Sequence, residues 1–416
     1  MDIERIKVAT FFELVSKLGI FCISFVVAKL FTPSDFGVWN LSQSYFFFII
    51  IAVEYSCHQN GVRIIVAAKQ KGESIADAWK LSVWFRFVGL TLSLFLITFL
   101  KVINVIDFLL FISFIIYSIA MFINSDYLYR SVGIPLLASL QNIFIIALVF
   151  LLVLTGGWFS ENIEELILFR SFILLVLCTS FFVYSRRNIF DFNLFNVFCL
   201  DSCTIRKFKS NFKVFTYVFL GALFARAVSI LNIFILDGKL NKESLGLYSA
   251  VSLFYLGFIT LKGVIMTQLY PYLCFKYESH SYFDFVKRIT CLVIVFCLLA
   301  YPPLFYFGNE ILKVSFGESY LNPDTILAYK ILILTCMLMS ATLFFPNFLH
   351  VSGNAKRFFI LMVITVCLNV LLNIYLIDKL GIVGAAMTTL MCEILVILYS
   401  IYFFFRSFNH EVLYSR

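Results

Sequence analysis

A chain of 416 residues that is 62% hydrophobic and 13% charged, with a mean hydropathy of +0.97, lies far above the apolar fraction of a soluble domain. Apolar runs of about 20 residues, the length that crosses bilayer hydrocarbon, recur throughout and exclude a soluble fold. The net charge of +8 is read as a topology signal with some attraction to anionic lipid headgroups, and gives no support for nucleic-acid binding.

In hydrocarbon every backbone polar group must be paired within the protein, and the alternating pattern of barrel strands is missing. The spans are therefore helices, and the expected fold class is an all-α integral membrane protein. In chain order the apolar periodicity predicts twelve: 8–31, 36–60, 81–100, 105–124, 134–154, 166–184, 212–236, 246–275, 287–307, 326–349, 358–377 and 382–405. The amino terminus lacks a basic region followed by a short apolar core and a small-residue cleavage site, so the first run is expected to remain as a helix. Pro271 and Pro346 are expected to kink the eighth and tenth helices.

With both termini cytoplasmic, the inside connections carry 20 Lys and Arg residues and the outside connections 6. That asymmetry sets the orientation. The longest connection, 185–211, is basic and inside, and divides an amino-terminal lobe (1–184) from a carboxy-terminal one (212–416). The 11 Cys lie in spans or inside segments, so no disulfide framework is indicated, and Cys199 and Cys203 lack the second pair a zinc site needs.

Charges inside hydrocarbon are costly and usually face a bundle interior or a watery cavity. Lys17, Arg226 and Lys262 are the deep cations and the expected substrate contacts. Arg86, Arg170 and Lys330 lie near helix ends, where snorkelling to the interface is expected. Glu13 precedes Lys17 by four residues, the favourable order for a pair on one helix face. Arg226 and Lys262 have no acid at helical spacing in their own spans, so a partner must come from another helix or from the substrate. Glu13, Glu54, His58 and Glu393 are the ion-coupling candidates, since a buried carboxylate or imidazole can exchange a proton as its exposure changes. Asn369 and Asn373, on one face at i,i+4, either bond between helices or line a cavity.

Two stretches share a plan at an offset of 209 residues: Ile6–Phe48 and Thr216–Gly257. Lys17 then falls on Arg226, Phe36-Gly37 on Leu245-Gly246, and Trp39 on Tyr248. A repeat of half the chain is a common way to build secondary transporters, with the substrate path between the halves.

Four stretches carry a resemblance: LFTPSDFGVWNLSQ, KESLGLYSAVSLF, ILKVSFGESYLNPDTILAYKIL, and GNAKRF with LNVLLNIYLIDKLGIVGAAMTTLMCEIL. In order and spacing the chain resembles the Wzx-type O-antigen flippases, of the polysaccharide-transporter branch of the multidrug/oligosaccharidyl-lipid/polysaccharide exporter superfamily. The resemblance implies a V-shaped protein of two six-helix lobes in the bacterial inner membrane. It also implies transfer of an undecaprenyl-pyrophosphate-linked oligosaccharide to the periplasmic leaflet, driven by a proton or sodium gradient and without a bound cofactor. The lipid-linked oligosaccharide, membrane lipids, and the polysaccharide polymerase with its chain-length machinery are the expected partners. It assigns no roles to Lys17, Arg226 or Lys262. A multidrug exporter of the same superfamily is the nearest alternative. A membrane polysaccharide polymerase fits less well, because no outer connection is long. No paired-carboxylate or Ser/His/Asp arrangement assembles, so an enzyme is not expected.

Overall fold

The computed structural model describes residues 3–159, 162–188, 201–278, 282–345, 348 and 355–414, all helical or in short connections. The helices are α1 Ile3–Leu30, α2 Pro33–Glu54, α3 Val62–Lys71, α4 Ile75–Val102, α5 Phe108–Ile123, α6 Asp126–Val132, α7 Pro135–Phe159, α8 Ile163–Asn188, α9 Ser202–Lys239, α10 Lys242–Glu278, α11 Tyr282–Tyr306, α12 Gly308–Phe316, α13 Pro323–Ala341 and α14 Ala355–Tyr414. Among the described residues, ten helices are long and apolar enough to cross a membrane. The Glu13 side chain, Cys199 and Pro346 lie outside what is described.

Each of the twelve expected spans has a helix at its place. α14 covers two of them, because its backbone leaves helical geometry at Gly381, with φ 56° and ψ −131°. A positive φ is cheap only for glycine. The chain folds back there, so Cys392 Sγ lies 3.8 Å from Thr365 O on the other limb. A side chain at Gly384 would meet the Leu376 carbonyl oxygen at 2.3 Å, so the limbs close tightly at the turn.

The expected second helix, 36–60, is interrupted. α2 stops at Glu54, Tyr55 and Ser56 take φ of 40° and 64°, and Cys57–Gly61 form a π turn before α3. Positive φ at a tyrosine costs on the order of 1–3 kcal/mol and persists only where the surroundings hold it. Here the Tyr55 ring stacks on Phe219 at 4.7 Å and its hydroxyl lies 3.1 Å from Thr216 Oγ1. The expected span ran on through the polar Ser56 and His58-Gln59-Asn60-Gly61, which is where the chain breaks.

By packing, the chain divides into two compact units: Met1–Leu30 with Val38–Leu223, and Phe31–Gly37 with Phe224–Arg416. The division falls inside α9. Most of the expected linker at 185–211 lies outside the described residues.

Unit 1 packs α1 on α7 and α5 on α8, with α4 along α5. Its core includes the stacked pair Phe46 and Tyr117, 4.0 Å apart. Unit 2 packs α13 against α14 and against α10. Large apolar side chains such as Phe95 on α4 and Leu299 on α11 are exposed. On helices of this composition, such faces belong against lipid.

The repeat is visible in local chemistry. Thr32 Oγ1 accepts from the Asp35 N–H at 3.3 Å, and 209 residues later Asn241 Oδ1 accepts from the Ser244 N–H at 2.9 Å. Each caps the helix that follows by occupying an otherwise unpaired donor. Phe36 and Leu245 are fully buried, and so nearly are Trp39 and Tyr248.

Candidate functional site

Unit 1 contains an open cavity of about 280 Å³ lined by residues of α1, α2, α5, α6, α7 and α8. Lys17, Gln43, Glu54, Asp126, Asn142 and Arg170 are among the polar side chains on its wall, with Trp39 and Tyr117 between them. Lys17 lines this cavity. Trp39 and Gln43 share a face of α2 because they are four residues apart.

Arg170 departs from expectation. Instead of reaching for the interface, its guanidinium sits over the rings of Trp39 and Phe46, at 5.2 and 5.0 Å from their centroids. The aromatic faces present negative charge to the cation and so hold it inside the unit. Near a helix end, snorkelling and inward burial look alike in sequence; the two rings on α2 decide it.

Glu54 lines both this cavity and a smaller cleft shared with His58, Arg86, Asn124, Asp126 and Tyr127. As the last residue of α2, its carboxylate sits at the negative end of the helix dipole, an unfavourable place. His58, Arg86 and Arg130 compensate as electrostatic neighbours, while Asp126 opposes. Asp126 is itself paired with Arg130 at 2.9 Å.

Arg86 is also buried, contrary to the snorkelling expectation, at 4% exposure. Its Nη1 donates to Asn124 O at 2.5 Å, and Nη2 donates to Met121 O. These carbonyls end α5, so the cation complements unpaired acceptors at a helix C-terminus. Tyr127 covers its face at 4.8 Å.

Unit 2 holds the other deep charges. Tyr255 Oη donates to Glu393 Oε1 at 3.0 Å. Lys262 is an electrostatic neighbour of Glu393, and Arg226 of Tyr255. The acid that helical spacing could not supply to Lys262 comes from α14. Tyr255 and Glu393 thus bring Arg226 and Lys262 into one group in unit 2.

Asn369 and Asn373 are fully buried, and both Nδ2 atoms donate to Asn232 Oδ1, at 3.1 and 2.8 Å. The Asn232 amide nitrogen lies 2.9 Å from Tyr248 Oη and 2.7 Å from Thr389 Oγ1. Of the two alternatives open in sequence, this geometry is interhelical bonding, joining α9, α10 and both limbs of α14. Asn232, its centre, is a polar residue in a span that periodicity alone did not single out.

Arg170, Gln43, Asp126 and Asn142 are among the cavity residues that sequence reasoning missed. The available signal was modest: a polar side chain one helical turn after Trp39, and an arginine near aromatic residues in chain terms only after folding.

No family model matches the chain. An uncharacterized membrane protein of Methanocaldococcus jannaschii is 31% identical over 106 residues, 26% of this chain. The match spans about a quarter of that curated relative's length, 25%. Among solved structures, the inward-facing conformation of a multidrug resistance MATE family transporter of the MOP superfamily superposes with a TM-score of 0.69 at 12% identity, over 93% of this chain and 94% of that one. The Vibrio cholerae MATE transporter VcmN gives 0.66 at 12% identity, over 99% and 98%. The lipid II flippase MurJ, in an inward closed conformation, gives 0.59 at 16% identity, over 96% and 87%. The chain is thus a multi-pass, all-helical membrane protein with the fold of MOP-superfamily transporters.

Proposed function

We propose that this protein is a flippase for an undecaprenyl-pyrophosphate-linked oligosaccharide, an O-antigen-type repeat unit, moving it from the cytoplasmic to the periplasmic leaflet of a bacterial inner membrane. Both termini are assigned to the cytoplasm. The observation that carries the reading is a cavity walled by apolar helices yet lined by the cations Lys17 and Arg170. Pyrophosphate and sugars cannot cross hydrocarbon unaided, and a basic, hydrogen-bonding interior substitutes for the water they lose. The fold shared with the lipid II flippase MurJ supports the same direction.

Ion-coupled alternating access is proposed to drive the cycle. Glu54, between the cavity and the His58 cleft, is the proposed coupling group, and Glu393 beside Lys262 the second. Arg226 and Lys262 are proposed as further substrate contacts, in unit 2. The test is leaflet transfer of a lipid-linked oligosaccharide in reconstituted vesicles. Wild type should transfer it, and Glu54→Gln should remove the dependence on an imposed proton or sodium gradient. Absence of transfer by wild type would sink the reading.

A multidrug exporter is favoured by one observation, the higher TM-scores of the MATE structures. Export of cationic dyes without transfer of the lipid-linked oligosaccharide would select it.

A further inference from the structure

Among the buried side-chain nitrogens of unit 1 that have no hydrogen-bond acceptor in the protein are Trp39 Nε1, Gln43 Nε2 and Arg170 Nη1. All three residues line the same cavity. We propose that Trp39, Gln43 and Arg170 form a binding subsite for an oxyanion of the phosphate class. The proposal names the contact for the charged head in the flippase reading, and rests on that reading for the identity of its ligand.

The chemistry is one-sided. An indole N–H, an amide NH2 and a guanidinium can only donate through these atoms, so the complementary group is rich in acceptors. Buried donors in folded proteins are almost always paired, and leaving three together unpaired is costly. Burial of a permanent positive charge adds a second demand, which a neutral hydroxyl would not meet. A phosphate oxygen pair meets both, because it matches the guanidinium fork and brings the opposite charge.

The guanidinium is already fixed in place. Its faces contact Trp39 and Phe46, so the N–H edge is left for the ligand. Tyr117, on α5, is the ionisable side chain that bears on it. Glu54 and Asp126 also line the cavity, but their charged neighbours are His58, Arg86 and Arg130, so they are balanced locally. Trp39 and Gln43 come from α2 and Arg170 from α8, so a ligand here ties the two helices together.

The phosphate could belong to a lipid headgroup or be free in solution, and the experiment separates them. The full chain is placed in nanodiscs and titrated by calorimetry with inorganic pyrophosphate, with undecaprenyl pyrophosphate supplied in the disc, and with a neutral disaccharide. Pyrophosphate and its lipid form are expected to bind and the disaccharide not. Arg170→Gln should weaken binding tenfold or more, and Trp39→Phe, which keeps the ring under the guanidinium and removes only the N–H, several-fold. Binding of the free ion but not the lipid form would assign the site to soluble phosphate.

Wild-type affinity retained in Trp39→Phe and Gln43→Met, with Arg170→Gln folded and equally tight, overturns the proposal. So does failure of wild type to bind either anion. Should Arg170→Gln not fold, the other two variants decide. If binding is lost in the variants but wild type transfers no lipid-linked oligosaccharide, the subsite stands and the flippase reading falls. If transfer proceeds unchanged in all three variants, the reverse holds.

Discussion

Gly37 and Gly246 occupy matching places in the repeat, and each presses against the other copy's first helical turn. A Cβ at Gly37 would sit 2.6 Å from the Lys242 carbonyl oxygen, and one at Gly246 would sit 1.6 Å from that of Pro33. Lys242 is itself 209 residues after Pro33, so the contact is reciprocal at the offset of the repeat. Both glycines belong to the same compact unit, which takes in residues 31–37.

Gly246→Ala should therefore be the more harmful of the two alanine variants, because the blocking atom is backbone at a distance no relaxation of a side chain can relieve. Yield of folded protein on size exclusion in detergent would check this, with Gly37→Ala intermediate and wild type highest. Equal yields of all three would show that the turns can part.

Asn232→Leu removes the acceptor shared by Asn369 and Asn373 and leaves buried amides without partners. In membrane proteins such bonds average about 0.6 kcal/mol each, and a network of several should cost about 2 kcal/mol. Thermal unfolding in a fixed detergent should show a lowered midpoint, with Asn232→Asp less affected because it keeps an acceptor.

Arg86→Met should loosen the end of α5, since Met121 and Asn124 carbonyls lose their donors. A loss of about 2–3 kcal/mol is expected for bonds to a buried charged group. Faster amide hydrogen exchange over residues 121–126, with α14 unchanged, would mark the effect as local.

Lys262→Met should be more harmful than Lys262→Met combined with Glu393→Gln, because the single change strands a buried carboxylate. Lys262 and Glu393 are electrostatic neighbours, so the double change should recover part of the loss. Equal losses in single and double variants would show that the two charges do not depend on one another.

Asp201 offers a pH test outside the spans. Hydrogen bonds from Thr204 at the start of α9, and then Lys80 at 3.4 Å, hold its carboxyl down at about 2. Since the folded value lies below the ordinary one, the stabilisation is complete above about pH 4 and is lost as pH falls toward 2. Exchange protection over residues 202–206 should stay constant from neutral pH to about 4 and decline below it. Asp201→Asn should flatten that decline.

The legible features were those that depend on neighbours in the chain. Helix positions followed from apolar run length, and the matching of Phe36-Gly37 with Leu245-Gly246 from the 209-residue offset. Illegible features depended on neighbours in space. Arg86 and Arg170 look alike in sequence, each close to a predicted helix end, yet one caps α5 and the other is clasped by rings of α2. The stop of α2 at Glu54 coincides with the polar run His58-Gln59-Asn60-Gly61, but what sustains its backbone is stacking with Phe219 and bonding near Thr216, more than 160 residues onward.

By itself the sequence determined that this chain is a bundle of membrane helices with an internal repeat, because hydrocarbon forces each span to satisfy its own backbone and so writes the span into consecutive residues. Only the tertiary structure decided which polar groups face one another. It put Asn369 and Asn373 against Asn232, gave Lys262 the company of Glu393, and turned Trp39, Gln43 and Arg170 toward one cavity. Partner choice between helices depends on which faces meet, and a linear pattern of apolar and polar residues does not contain that choice.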